Sequence, residues 1–450
     1  MQSTPSKIIR FSKSLDFCTL PSVVNNIKIY MLGFWQLVAL VVGNLVGSGV
    51  LMLPAILAPY GSISFAGWVA ASFGAILLSL VFCQLCSKHP RTGGPHVYVE
   101  EAFGKNAGFY IAWVYWILAW IGYAALVSAA MGCLTTVCGP LSKPALMGIE
   151  VLIIVVFTAV NLCQISFAGR VELVLTFVKV LPLIILPLIA LFSVKSECLF
   201  ATPCIDKPYV SSMASAVLLM IFAFMGFETA TVPSEEVENP RKTIPKATIV
   251  GTLIAAGIYI LGTVSMLGHI PCDVLANSKA PYADLAASIF GGNWQNFIAG
   301  AGILCALGAL NGWMLIGGRI AYGAAQDGIF PKIFLKKDKY GAPSAAIIIS
   351  SMCTIPFMML SLSESLVEQF NFVVSISSSL VLIVYLACTL AYLKFLKDYA
   401  HSKPKHWLLG VASTMFCLWV LSSINLEMTL YSLTVFLVGI PLREYVKRRT

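Results

Sequence analysis

Charge is what this sequence has least of. Only 11% of its 450 residues are Asp, Glu, Lys or Arg, where a soluble globular domain carries roughly 25%. So few charges cannot clothe a chain of this length in water, and a water-soluble globular fold is excluded. Catalytic signatures are also missing. The chain has no Gly-x-x-x-x-Gly-Lys-Ser/Thr phosphate loop, no HExxH metal helix and no GxSxG nucleophile turn, so neither ATP hydrolysis nor hydrolytic chemistry is indicated. A single CxxC pair, Cys83-Gln84-Leu85-Cys86, lies inside an apolar run with no second pair to complete a metal site, and no metal or cofactor is expected. The five histidines, His89, His96, His269, His401 and His406, fall in loops or at the ends of apolar runs.

What the chain has is apolar sequence: 58% of residues are hydrophobic and the mean hydropathy is +0.87. It comes in runs of about 20 residues, the length that crosses a hydrocarbon core of ~30 Å. Twelve such runs fall near 31–57, 64–86, 106–136, 146–165, 171–195, 210–236, 246–268, 294–322, 344–361, 367–393, 406–424 and 427–442. An even number puts both termini on one side. With a cytoplasmic N-terminus, 24 of the 29 basic residues lie on the cytoplasmic side and four (Lys143, Lys195, Lys207, Lys279) outside, with Lys179 inside a span. That asymmetry is the positive-inside pattern. It also accounts for the net charge of +9 without any nucleic acid partner. Residues 1–30 are polar and basic, without the short apolar core of a signal peptide, and read as a cytoplasmic tail. Cysteines such as Cys133, Cys163, Cys305, Cys353, Cys388 and Cys417 sit within apolar runs as small hydrophobes. Cys198 and Cys204 share one loop, and whether they form a disulfide is left open.

Two runs are interrupted. The first carries Gly43-Asn44-Leu45-Val46-Gly47-Ser48-Gly49 and the sixth carries Met225-Gly226-Phe227-Glu228-Thr229. Backbone polar groups cannot stay bare in lipid, so a helix broken at mid-depth must face protein, a cavity or a ligand. Two breaks five spans apart point to an inverted repeat with a binding site between its halves; glycines that merely let helices pack closely are the competing reading. At such breaks freed N–H groups suit a carboxylate and freed carbonyls suit an ammonium. Gly47, Ser48 and Gly49, with Asn44 beside them, are the candidates for the first. Phe222, Ala223 and Met225 are the candidates for the second and for a side-chain wall. Glu228 and Lys179 are the intramembrane charges. Each is expensive there and hence a candidate for proton coupling, with a mutual ion pair or, for Lys179, snorkelling as structural alternatives.

These residues carry a resemblance. The stretch VVGNLVGSGVLMLPA in the first run is similar to the signature of the amino acid–polyamine–organocation superfamily. Three cytoplasmic stretches match as well: His89–Pro95 with Tyr98, Glu236–Lys242 with Ile244-Pro245, and Ala325–Pro331. Within the superfamily the chain resembles the bacterial arginine/agmatine and other basic amino acid/polyamine antiporters. The resemblance implies an all-α membrane protein of twelve transmembrane helices in a five-plus-five inverted repeat, with helices 1 and 6 discontinuous. It divides the chain into a tail (1–30), two repeats (31–196 and 210–393) and two trailing helices (394–450). It implies alternating access in place of enzymatic chemistry. It gives Trp313 a gating place, Ser377 a side-chain contact and Glu228 a pH-sensing role; Tyr115, with Trp116 and Trp120 in the same run, is a candidate for closing the site by its aromatic ring. The chain departs from the arginine/agmatine pattern at Leu118, Ala119, Tyr123 and Phe222, and in carrying Lys179, which other superfamily members share.

The expected activity is secondary transport of amino acids or their amines, arginine/agmatine-like exchange foremost. Proton-coupled symport is the alternative, and a channel or transport-like sensor is the alternative of another class. Expected partners are small amino acid or amine substrates, protons and the lipid bilayer, with a homodimer left open. The expected location is a bacterial inner membrane.

Overall fold

The computed structural model of the protein describes residues 33–88, 94–162, 179–194, 208–231, 237, 239–338, 341–360, 365–398 and 403–448. Cys198, Cys204, residues 89–93 of the first cytoplasmic motif and Glu236 and Glu238 of the second lie outside the described residues. The described chain is built from helices. The first half contains α1 (Phe34–Leu45), α2 (Ser48–Leu57), α3 (Ile63–Lys88), α4 (Pro95–Phe103), α5 (Lys105–Cys138) and α6 (Lys143–Leu162), followed by α7 (Lys179–Ser193). The second half contains α8 (Tyr209–Phe224), a 3-10 turn over Phe227–Thr231, α9 (Pro240–Leu267), α10 (Cys272–Ala276), α11 (Pro281–Phe290) and α12 (Gly292–Gln326). It continues with α13 (Ser344–Leu360), α14 (Leu366–Asp398), α15 (Pro404–Leu421) and α16 (Leu426–Lys447). Every one of the twelve expected runs holds a described helix, the fifth from Lys179 onward.

Eight of these helices are long and apolar enough to cross a membrane, and α1 with α2 forms a further span bent by 42°. The 34 residues of α5 correspond to about 51 Å of helix at ~1.5 Å per residue, so α5 reaches past a hydrocarbon core of ~30 Å. It is apolar on all sides, the signature of a helix surrounded by others, and Ile111 through Ala119 are buried without exception. On the periphery, α6 and α16 turn Leu152, Val155, Val156, Leu433, Leu437 and Val438 outward, as lipid requires.

Elements five spans apart lie against one another. The 3-10 turn packs on α1, and α8 on α2; α3 meets α9, α5 meets α12, and α6 meets α13. The cytoplasmic motifs serve as helix punctuation. Gly94, at φ +86°, and Pro95 open α4. Asn239, at φ +50°, and Pro240 open α9. Gly328, at φ +72°, turns the chain after α12. The buried His96 of the first motif lies 3.1 Å from Asp327 of the third, joining α4 to the end of α12.

Candidate functional site

A helix interrupted in mid-membrane leaves carbonyls on one side of the gap and amides on the other without helical partners. At the first break the carbonyls are met one after another by side chains from elsewhere. Lys179 Nζ donates to Gly43 O at 2.7 Å and Trp313 Nε1 to Asn44 O at 3.3 Å. The Tyr259 hydroxyl lies 2.7 Å from Leu45 O, and the Cys305 thiol faces Val46 O at 4.0 Å, a weak contact. The amides of Gly47, Ser48 and Gly49 stand at the head of α2, where a helix has no carbonyls of its own to offer. Both glycines are dictated by packing. A Cβ on Gly47 would come within 2.9 Å of Ala309, and one on Gly49 within 3.0 Å of Ala223.

At the second break α8 ends at Phe224, and Gly226 adopts φ +116°, a conformation that L side chains rarely reach. Thr229 closes the turn, its hydroxyl 2.6 Å from Gly226 O. The two breaks are tied to each other. Asn44 Nδ2 donates to Thr229 Oγ1 at 3.1 Å, and the Tyr259 hydroxyl that meets Leu45 O also lies 2.8 Å from Ala223 O. Asn44 Oδ1 is a buried acceptor that no described side chain or backbone group satisfies.

Between the breaks lies a cavity with about 370 Å³ of empty space, counting its open mouth. Of the residues expected at a substrate site, Asn44, Gly47, Ser48, Gly49, Leu118, Phe222, Ala223, Met225 and Trp313 line it. Three others do not. Ala119 is buried beside the lining. The Tyr123 hydroxyl donates to Trp313 O at 3.1 Å, over Gly317, where a Cβ would collide with it. Ser377 is buried in α14 without a described hydrogen-bond partner. Three lining residues were not anticipated: Leu45, Gly122 and Leu126. Gly122 and Leu126 follow Leu118 at i+4 and i+8 on one face of α5, a spacing visible in the sequence. Of the other aromatics, Trp116 is committed to Ser350 Oγ at 2.7 Å.

Glu228 is fully enclosed behind the cavity and surrounded by donors. Tyr115 OH reaches Oε1 at 2.8 Å, Tyr385 OH reaches Oε2 at 3.0 Å, and Gly226 N reaches Oε2 at 3.1 Å. An acceptor-only carboxylate satisfies all three, whereas a carboxylic acid must itself donate, so taking up a proton obliges one of these partners to turn. The carboxylate thus links α5, α14 and the second break. Tyr385 was not anticipated, since a tyrosine in an apolar helix looks like any packing aromatic. Lys179 serves the first break and Glu228 the second.

The chain was compared with known proteins. Residues 32–440 match the family model described as amino acid permease. A putative arginine/ornithine antiporter of Bacillus subtilis (strain 168) is 29% identical over 458 residues, covering 93% of this chain and 97% of that protein. The cadaverine/lysine antiporter of Escherichia coli (strain K12) is 32% identical over 335 residues, 73% of this chain and 74% of that protein. The putrescine transporter PotE of the same strain is 28% identical over 425 residues, 93% of this chain and 96% of that protein.

Proposed function

The chain belongs to the amino acid permease family, and on that premise we propose that it exchanges an amino acid for another amino acid or an amine across a membrane by alternating access. The observation that carries the reading is the pair of breaks facing each other across one cavity. The substrate carboxylate meets the amides of Gly47, Ser48 and Gly49 at the positive end of α2. The α-ammonium meets Asn44 Oδ1, which otherwise lacks a partner, and the carbonyls that end α8. Trp313 and Phe222 flank the bound molecule, and Glu228 links proton uptake to movement of the second break.

Residues 31–196 and 210–393 act as two inverted repeats that rock against one another, with residues 394–450 trailing. The packing of elements five spans apart supports this, because a pseudo-twofold axis sets equivalent helices across from each other. The 24-to-4 distribution of basic residues supports cytoplasmic termini, and the bacterial sources of the named relatives support a bacterial inner membrane.

Arginine/agmatine exchange is the finer reading taken from the family, and the side-chain end of the cavity weighs against it. Tyr123, at a position where that branch has a polar contact, is turned to Trp313 O. A second reading, proton-coupled symport, draws on Lys179, whose ammonium sits on a carbonyl of the first break.

Reconstituted protein distinguishes the two. Liposomes preloaded with unlabelled amino acids or amines should take up labelled substrate, and empty liposomes should not. Uptake into empty liposomes driven by a pH gradient alone would refute exchange in favour of symport.

A further inference from the structure

The wall of the cavity opposite the two breaks is the face of α5 that carries Leu118, Gly122 and Leu126. Gly122 differs from the other two glycines of the lining. A Cβ on Gly47 or Gly49 would press on Ala309 or Ala223, so those glycines exist for close packing. A Cβ on Gly122 would meet nothing within 4 Å. Gly122 is also only partly buried, although its neighbours Ile121 and Tyr123 are 2% and 1% exposed. Empty space beside a mid-helix glycine in a buried helix is the cavity itself. Glycine in a helix interior costs ~1 kcal/mol relative to alanine and here relieves no clash, so packing does not explain it.

The chemistry around this space is apolar. Leu118, Leu126, Phe222 and Trp313 surround it, and none of the described residues lining the cavity is acidic. Glu228 is occupied by Tyr115, Tyr385 and the Gly226 amide. A guanidinium or a distal ammonium would find ring faces there but no carboxylate.

We infer that Gly122 forms the floor of the side-chain compartment, and that the compartment takes a neutral amino acid with a large apolar side chain, of leucine or phenylalanine size. This rests on the transport reading above for the position of the substrate, and it makes Gly122 the residue that sets the length of side chain accepted. Filling the floor should remove large side chains before small ones. One methylene in an apolar pocket is worth about 10- to 200-fold in discrimination.

The test is calorimetric titration of purified full-length protein in detergent with alanine, leucine, phenylalanine, lysine and arginine, repeated on Gly122→Ala, Gly122→Val and Leu118→Ala. Wild type should bind leucine or phenylalanine at least roughly tenfold more tightly than arginine or lysine. Gly122→Val should lower the leucine-to-alanine affinity ratio by roughly tenfold or more, with Gly122→Ala intermediate. Leu118→Ala, which enlarges the same space, should raise the preference for phenylalanine and keeps the test available should a Gly122 variant fail to fold. An unchanged ratio in these variants, or tighter binding of arginine than leucine by wild type, would overturn the inference. Binding that follows the predicted order without exchange in liposomes would uphold it and overturn the exchange reading instead.

Discussion

The Tyr259 hydroxyl is a single atom on which both breaks converge, and its removal is a clean perturbation. The ring packs against Trp68 at 5.2 Å and Phe224 at 5.4 Å between centroids, so Tyr259→Phe keeps the shape and deletes only the O–H. The hydroxyl has one proton and faces two carbonyls, Leu45 O at 2.7 Å and Ala223 O at 2.8 Å. It therefore satisfies one at a time, and the variant deprives the pair of one donor. Leaving a buried acceptor unsatisfied costs about 1–3 kcal/mol in water-soluble proteins. Within membranes, hydrogen bonds between helices average about 0.6 kcal/mol and reach about 1.7 kcal/mol. The expected loss is thus ~1 kcal/mol, between the membrane average and its upper value, because both carbonyls lie in the buried interior. Equilibrium unfolding in mixed micelles, titrated with SDS and followed by tryptophan fluorescence, resolves such a difference. Substrate affinity should fall alongside stability, since Leu45 and Ala223 line the cavity. Thr263→Val is the control. It removes the acceptor of Trp68 Nε1 at 2.9 Å one turn along the same helix while leaving both break carbonyls their hydroxyl, and should lower stability with a smaller loss of affinity than Tyr259→Phe. A Tyr259→Phe protein within about 0.3 kcal/mol of wild type, with wild-type affinity, would refute the idea that this hydroxyl holds the breaks in register.

Other outcomes follow from the same geometry. Glu228→Gln offers one acceptor where the carboxylate offered two, so its exchange rate should lose most of its pH dependence between pH 5 and 8; an unaltered profile removes Glu228 from proton coupling. Lys179→Met keeps the apolar stem but takes the ammonium from Gly43 O, and substrate affinity measured by calorimetry should fall by roughly tenfold or more, as expected for a charge-assisted bond of about 1.5–3 kcal/mol. Gly226→Ala forces a side chain into φ +116°, with its Cβ 3.4 Å from that of Asn44, and should lower unfolding stability by more than about 1 kcal/mol. Gly122→Val should reorder the affinities for leucine and alanine as described above.

The two breaks were legible in the sequence because they violate a strong rule: glycine clusters and a glutamate do not belong in lipid unless something faces them. The apolar membrane helices were legible because hydropathy over ~20 residues leaves few alternatives. Of the groups that complete the breaks, Lys179 and Trp313 were legible and the hydroxyls were not. Tyr259, Tyr385 and Thr229 lie in apolar segments where a hydroxyl is as readily explained by packing, and only the crossing of helices far apart in sequence reveals what each oxygen meets. Tyr123 demonstrates the converse. The family resemblance directs it toward the substrate, yet it falls off the Leu118, Gly122 and Leu126 face of α5, and its hydroxyl meets Trp313 O in the space left by Gly317 of α12. Gly122 escaped notice because a glycine in a helix signals close approach more often than empty space, and the two are distinguished only by what lies opposite.

The contrast between the two sides of the first break bears on how such a site remains open for a ligand. Side chains from α7, α9 and α12 meet four consecutive carbonyls, Gly43 to Val46. Gly47, Ser48 and Gly49 at the head of α2 line the cavity instead, where the first amides of a helix have no carbonyl of their own helix to meet. If protein satisfied both sides, the break would be a structural kink with nothing left to bind; if it satisfied neither, the span would pay several kcal/mol in hydrocarbon. Meeting the carbonyls alone anchors the break to three other helices and reserves its positive end for an anion. The second break reverses the emphasis. Its Gly226 amide is given to Glu228, while Asn44 reaches across with one oxygen unsatisfied. A molecule that carries a carboxylate and an ammonium on adjacent atoms completes both halves at once, and a simple amine completes only the second. Exchange of an amino acid for its decarboxylated amine therefore requires that α2 be left unsatisfied on one leg of the cycle. The affinity difference between the two substrates measures what the Gly47, Ser48 and Gly49 amides contribute.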